Sequence, residues 1–348
     1  MSSSMTMIET TVDRLLARSD LATAYVALHS GRFPAQIWND VAGASLPLLL
    51  CPENAGGIGA GLDDAVEVAR LFGAGGIPVP IVETLIGNWL LGVAGVEPGA
   101  HPVIALINGA TPVPYVDQLS NGSVVWLAVP WARHASLLAV AKGANGLRIG
   151  LVPAGTNVVT THGKNLAVEP RDTVDLSGFN ATSIVWHELP SEIDPSAILC
   201  RMALLRAALM VGAMERALQL SLVYTSDRNQ FGRSLASFQV IQQTLAVMAT
   251  QVAAARSAVM MAAVQSEPER LAFMAAVAKA RAGDAANMVA AAAHQVHGAM
   301  GFTQEYGLGI ATKRLWSWRN EDGSESYWHE WLGGRAREAG DLWAVIAA

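Results

Sequence analysis

From about residue 195 onward the chain carries three long stretches with apolar residues at helical spacing and few helix breakers inside them. Asp194-Pro195 predicts the start of the first, because proline early in a helix lacks only an N–H that would be unpaired there anyway. This helix should reach Asp227. The second is expected from Phe238 to Gln265. Ser266-Glu267-Pro268-Glu269 gives a start signal for the third, which should reach His297. Alanine dominates these stretches, as at Ala253, Ala254, Ala255, Ala291, Ala292 and Ala293. Small side chains let helix backbones approach closely, so the segment predicts a tight antiparallel four-helix bundle.

Upstream the apolar period changes twice. Residues 10–27, 62–72 and 82–93 read as helices, with Asp63 and Asp64 in a first turn where the macrodipole favours acids. Between about 100 and 190, short β-branched runs at 103–107, 123–129, 150–152, 157–161 and 183–187 are separated by Gly, Pro, Asn and Asp. They predict a small antiparallel sheet or barrel. Asn121-Gly122 and Asn145-Gly146 are hairpin-turn candidates. The expected fold class is mainly α with a small β-domain. A helical domain over 1–98 precedes a β-barrel-like domain over 99–192 and a helical bundle over 193–348.

Composition narrows the function. Hydrophobic residues make up 52% of the 348 and charged residues 15%, which argues against disorder and for much buried surface, including a subunit interface. A net charge of -6 leaves no basic footprint for nucleic acid. The apolar runs at 48–50, 259–264 and 288–293 are too short to span a bilayer, so no membrane is expected. Met1-Ser2-Ser3-Ser4 lacks a basic region followed by an apolar core, so no secretory signal is expected and a cytoplasmic location is. Cys51 and Cys200, without metal or redox spacing, fit a reducing compartment and inert packing. His294 and His297 share a helix face without a third ligand, so no metal site is expected.

Two motifs remain. The first is Arg228-Asn229-Gln230-Phe231-Gly232-Arg233-Ser234-Leu235, followed by Phe238-Gln239. The second is Gln295-Val296-His297-Gly298-Ala299-Met300-Gly301-Phe302-Thr303-Gln304-Glu305-Tyr306. In this order, on a helical background, the pair resembles the flavin-binding signatures in the C-terminal domain of the acyl-CoA dehydrogenase family. The likeness is strongest over 200–306, moderate over 52–91 and weak in the β zone. It leans toward shorter bacterial members, often one subunit of a heteromeric enzyme that degrades bulky acyl-CoA side chains. The resemblance implies FAD as cofactor, an acyl-CoA substrate and α,β-dehydrogenation. It also implies an electron-transfer flavoprotein as acceptor, in a homo-oligomer or in a hetero-oligomer with a second such subunit.

It also implies roles. Arg228, a planar fork suited to phosphate, would meet the pyrophosphate of an FAD held largely by the neighbouring subunit. Gln230, Phe231, Gly232 and Gln239 stand where the family places further flavin contacts. Gln295 matches the contact to the adenosine end, Val296 lies beside it, and Gly298 and Ala299 match a turn against the diphosphate, where Ala299 replaces a usual Gly. The family's Glu-Gly-Thr turn, whose Glu removes the α-proton, lands on Asp322-Gly323-Ser324. Asp322 is then the candidate base, one methylene shorter than Glu, Glu321 is the alternative, and Ser324 is a cofactor contact. Glu321, Asp322 and Glu325 also fit a plain solvated acidic turn. Trp316, Trp318, Tyr327, Trp328 and Trp331 surround it, as acyl-pocket wall or as core. Some members carry the base on the first bundle helix, at a site falling near Met202 beside Arg201, where no carboxylate stands. The family's Thr-Glu-Pro and Gly-Ser-Asp motifs are absent at residues 105–110, and Trp126 and Trp131 are the only candidates for its flavin-packing Trp. Three functions follow: a dehydrogenase, a base-poor subunit completing a partner's FAD site, and a helical interaction protein without flavin.

Overall fold

The computed structural model describes residues 3–107, 124–143, 146–177, 180–303 and 307–339. Asn121-Gly122, Asn145, residues 108–110 and Gln304-Glu305-Tyr306 lie outside the described residues. The chain divides into two compact units, Met1–Val68 with Ile77–Met202 and Ala69–Gly76 with Ala203–Ala348.

The first unit opens with α1 (Ser3–Arg18) and α2 (Leu21–His29) where one helix was expected over 10–27. The break comes from Asp20, whose carboxylate accepts the Thr23 N–H at 3.0 Å and caps α2. A further helix, α3 (Ala35–Gly43), follows Pro34 and buries Ile37, Trp38 and Val41. Next come α4 (Leu62–Gly75) and α5 (Ile81–Val93), the latter buried on nearly every face.

Two sheets follow. One has the order β1 (Val103–Leu106), β3 (Ser136–Lys142), β4 (Leu147–Val152), β7 (Trp186–Glu188); the other runs β2 (Val125–Pro130), β6 (Arg171–Asp175), β5 (Val159–Thr161). The expectation of a purely antiparallel arrangement is corrected. β1 and β3 are parallel, Val103 opposite Ser136, because a long crossover separates them and its strand β2 joins the other sheet. A buried core of Leu28, Ile104, Trp126, Trp131, Leu137, Val152, Val174 and Ile184 fills this region. Asp172, fully buried on β6, is paired with Arg133 and also accepts the Arg133 N–H at 2.9 Å.

The second unit is built on α6 (Pro195–Asp227), α7 (Gln239–Ala263), α8 (Pro268–His297), α9 (Leu308–Trp318) and α10 (Glu325–Ala339). α7, α9 and α10 all pack on α8. Glu267 caps α8, accepting the N–H groups of Glu269 and Arg270. Small residues set the helix spacing. Residues 69–76, the end of α4, belong to this unit, where a Cβ on Gly73 would overlap the Leu209 carbonyl and one on Gly212 the Arg70 carbonyl, so these backbones touch. Contrary to the reading of short apolar runs, α6 and α7 are long and apolar enough to cross a bilayer, since Ala, Ser and Thr extend the runs. The apolar window of α6 is 89% buried, as in a core helix. That of α7 is 39% buried, leaving Val240, Val247, Met260 and Met261 exposed.

Candidate functional site

Arg228 follows α6 directly. Its N–H donates to the Tyr224 carbonyl at 2.9 Å, and its carbonyl accepts the Leu235 N–H at 2.9 Å. Between these bonds, β8 (Asn229–Gln230) and β9 (Arg233–Ser234) form a hairpin with Gln230 opposite Arg233. Its turn is Phe231-Gly232, at φ 53° and 79°. Two positive φ values suit the twist of a two-residue hairpin. Glycine adopts them freely, but phenylalanine does so at a cost of about 1–2 kcal/mol. The Phe231 ring is 92% exposed, with an edge contact to Phe238 at 6.2 Å. Arg233 stacks on the other side of this corner, its Cζ 4.0 Å from the Phe238 ring centre. Arg228, Gln230 and Gln239 are exposed, and the Arg228 guanidinium has no partner among the described residues.

The second motif closes α8. Gln295, Gly298 and Ala299 are exposed, whereas the Val296 side chain is core and leaves only its backbone for a ligand. Gly298 has φ 57° with open space beside it, so its backbone is accessible. His297 stacks on Tyr224 with ring centres 4.5 Å apart. This contact ties the end of α8 to the end of α6, four residues before Arg228, and brings both motifs to one end of the bundle. His294 bonds the Thr312 hydroxyl at 2.9 Å and stacks on Phe302 and Trp316. Burial lowers the pKa of both histidines. They act as packing groups, and among the described residues no three His, Cys, Asp or Glu are grouped to hold a metal.

The acidic turn between α9 and α10 is a different environment. Arg206, on α6 and only 2% exposed, donates from Nε to Asp322 Oδ2 at 2.8 Å, and its Nη1 lies 3.5 Å from Glu321. Buried Lys279 donates to the carbonyls of Arg319 at 2.9 Å and Gly323 at 2.7 Å. The Trp328 indole N–H donates to the Asp322 carbonyl at 3.0 Å, and Arg319 donates to Glu325 at 2.7 Å. Asp322 itself sits at φ 54°. Ser324 Oγ accepts the Tyr327 N–H at 3.3 Å, at the start of α10. Burial pushes the Lys279 ammonium down to about 8, partly opposed by Asp322. The turn is therefore a cross-linked corner rather than a set of solvated acids. The Asp322 carboxylate is already engaged by a buried guanidinium. Trp318 and Trp328 are core here, while Trp316, Tyr327 and Trp331 keep partial exposure.

Within one chain the two groups stand apart. Arg206 and Tyr224 lie on the same helix, and their spacing at 1.5 Å per residue is about 27 Å. The structure thus brings Arg228, Gln230, Phe231, Gly232, Gln239, Gln295, Gly298 and Ala299 to one bundle end, and Glu321, Asp322 and Ser324 to another place. Met202 is buried, with no carboxylate on its turn of α6. Trp126 and Trp131 are both core, and neither presents a face. Cys51 and Cys200 are buried free thiols. Arg206 and Lys279 went unread in the sequence. The available signal was a charge within a largely apolar helical run.

A helical region, small sheets and a helical bundle are the parts of the acyl-CoA dehydrogenase fold. The family model "Acyl-CoA dehydrogenase, C-terminal domain" matches residues 197–326. Acyl-CoA dehydrogenase IpdE2 of Mycobacterium tuberculosis is 29% identical over 313 residues, covering 88% of this chain and 89% of that protein. The steroid ACAD Tcur3481-Tcur3483 superposes with a TM-score of 0.81 at 21% identity, covering 97% of this chain and 98% of that one. The ChsE4-ChsE5 complex of Mycobacterium tuberculosis gives a TM-score of 0.79 at 21% identity, with the same coverage. Residues 197–326 thus match the C-terminal domain of acyl-CoA dehydrogenases, and over most of its length the chain is similar to enzymes of that type.

Proposed function

We propose that this chain is a subunit of a hetero-oligomeric, FAD-dependent acyl-CoA dehydrogenase that introduces an α,β double bond into an acyl-CoA thioester. The observation that carries this is the exposed hairpin. Arg228 without a partner among the described residues, Phe231 held out at positive φ and Gln295 at the same bundle end fit the pyrophosphate and adenosine side of an FAD. The backbone at Gly232 and Gly298 is open to such a ligand. When bound, FAD supplies the hydride acceptor for the β-hydrogen, and an electron-transfer flavoprotein is the proposed onward acceptor. The role of this chain's residues is to bind and orient. Arg228 offers a charged fork to a diphosphate, Phe231 covers an apolar surface, and Gln230, Gln239 and Gln295 offer amides to polar edges. The separation of about 27 Å along α6 supports a hairpin facing a flavin held mainly by a neighbouring chain.

The second reading, a base-poor subunit completing the FAD site of a catalytic partner, has its own observation. Asp322 and Glu321 both face Arg206. One experiment separates the two. The chain is purified alone and after co-expression with its partner, and visible spectra are recorded. Yellow protein only from co-expression supports the shared flavin site. The Asp322→Asn complex is then assayed with an artificial electron acceptor. Lost turnover with flavin retained assigns the base to Asp322, and full turnover assigns it to Glu321 or to the partner. A complex that never binds flavin overturns the proposal.

A further inference from the structure

Two partly exposed side chains stand out in otherwise buried helices. From Ile81 to Gly92, Trp89 alone is not buried, and from Ile198 to Met214, Arg201 alone is not buried. The two meet. The Arg201 Cζ lies 4.6 Å from the Trp89 ring centre. Arg201 Nη1 donates to the Ala197 carbonyl at 2.9 Å. Its Nε and second Nη have no hydrogen-bond partner among the described residues, and no carboxylate there forms an ion pair with it. Of the acidic groups that face it, Asp194 caps the start of α6 by accepting the Ala197 N–H at 2.7 Å, and Cys200 is a buried thiol. Burial lowers the Arg201 pKa from its ordinary value, with Cys200 and Asp194 opposing, and the group remains a cation.

A guanidinium drawn partly out of water without a counter-charge is costly, and buried charges are normally paired. The helix does not need this one, since the Ala197 carbonyl already lies within a helical ladder. The contact over the Trp89 ring uses no N–H group, and among the described residues only Nη1 is engaged in a hydrogen bond. A free guanidinium edge is the geometry that carboxylate and phosphate oxygens accept in pairs.

We infer that Arg201, held over the Trp89 ring, is an anion subsite that takes an oxyanion of the acyl-CoA, either a carboxylate at the far end of the acyl group or a phosphate of the CoA. The identity of the ligand rests on the proposed acyl-CoA activity. Three probes tell the sources apart: CoA, pentanoyl-CoA and glutaryl-CoA, titrated calorimetrically into the full chain. If the source is the acyl carboxylate, glutaryl-CoA binds roughly tenfold to a hundredfold tighter than pentanoyl-CoA, the size of one charge-assisted hydrogen-bond pair. Arg201→Gln removes that preference. If the source is the CoA phosphate, the variant weakens all three probes by a similar factor. Arg201→Lys, which keeps the charge without the fork, restores only part of either effect, and Trp89→Leu weakens the same probes as Arg201→Gln. A folded Arg201→Gln protein whose three affinities stay within about twofold of wild type overturns the subsite. If wild type binds none of the three probes, the acyl-CoA reading fails by itself. The subsite is then read on wild-type protein by phenylglyoxal labelling of Arg201, located by peptide mass spectrometry. Protection by free glutarate or inorganic pyrophosphate supports it, and no protection by either overturns it.

Discussion

At the scale of single residues, the acidic turn shows how a side chain's neighbours decide what it can do. Asp322 stands where the family resemblance expects a base, but its carboxylate is bonded to Arg206, which is 2% exposed. Removing Arg206 leaves two carboxylates facing an apolar gap. Arg206→Met should therefore destabilise the chain by about 3–5 kcal/mol, the usual cost of breaking a buried pair. Asp322→Asn keeps a weaker hydrogen bond and should cost about 1–3 kcal/mol. Because the two residues are in contact, the double variant should be more stable than the sum of the single losses predicts. Urea unfolding of the full chain measures all three, and additive losses would show that the pair is not coupled. Lys279 gives a pH-dependent counterpart. Its folded-state pKa is about 8, below the ordinary 10.5, so the unfolded chain binds more protons between these values. Stability should thus rise as pH increases from about 8 to about 10.5, as the burial penalty on the ammonium is relieved. The rise should be smaller in Lys279→Met. A variant with an unchanged pH slope would remove Lys279 as its source. None of this was legible in the sequence, because Arg206 and Asp322 are 116 residues apart and only the fold brings them together.

At the scale of elements, legibility follows how local the determining signal is. The starts of α6 and α8 were readable because Asp194-Pro195 and Glu267-Pro268 act within one turn. β3 was not readable, since it is buried on both faces and its apolar run has no alternation to betray a strand. β6 was hidden by Arg171 and Asp172, whose charges read as loop until Arg133 is seen opposite. The break between α1 and α2 turns on the Asp20 cap, a signal present in the sequence but outweighed by the helical spacing around it. The hairpin after α6 was legible as a motif, but its geometry was not. With φ 53° at a non-glycine, Phe231 stores local strain that an Asn-Gly turn would not. Phe231→Asn should therefore raise the stability of the isolated chain by about 1 kcal/mol. The same change should lower flavin retention in the co-expressed complex, because the exposed ring is lost. A melting curve and a flavin-to-protein absorbance ratio check the two halves. Unchanged flavin content would remove Phe231 from the proposed site.

At the scale of the whole molecule, most apolar side chains are buried within the chain, but the exposed face of α7 is not. Within the 25 residues of α7 the sole charged side chain is Arg256, yet Val240, Val247, Met260 and Met261 are 44–66% exposed. This face begins at Gln239, directly after the hairpin that carries Arg228 and Phe231, so one neighbouring chain could cover both. An exposed apolar run of this kind marks an interaction surface. The face does nothing for the fold of the isolated chain, which makes the prediction a clean one. Replacing Val247 and Met261 together with Glu should change unfolding free energy by no more than about 0.5 kcal/mol per site, the ordinary range for surface positions. In the co-expressed complex, the same pair should shift sedimentation toward smaller species, because burying two carboxylates in an apolar interface without partners is strongly unfavourable. Flavin should leave with the lost interface, since the proposed contacts from Arg228 and Gln295 reach a cofactor held by the neighbour. Assembly and flavin content that both survive the double substitution would place the interface elsewhere on the molecule. Dissociation with flavin fully retained would instead assign the cofactor to a single chain and end the shared-site proposal.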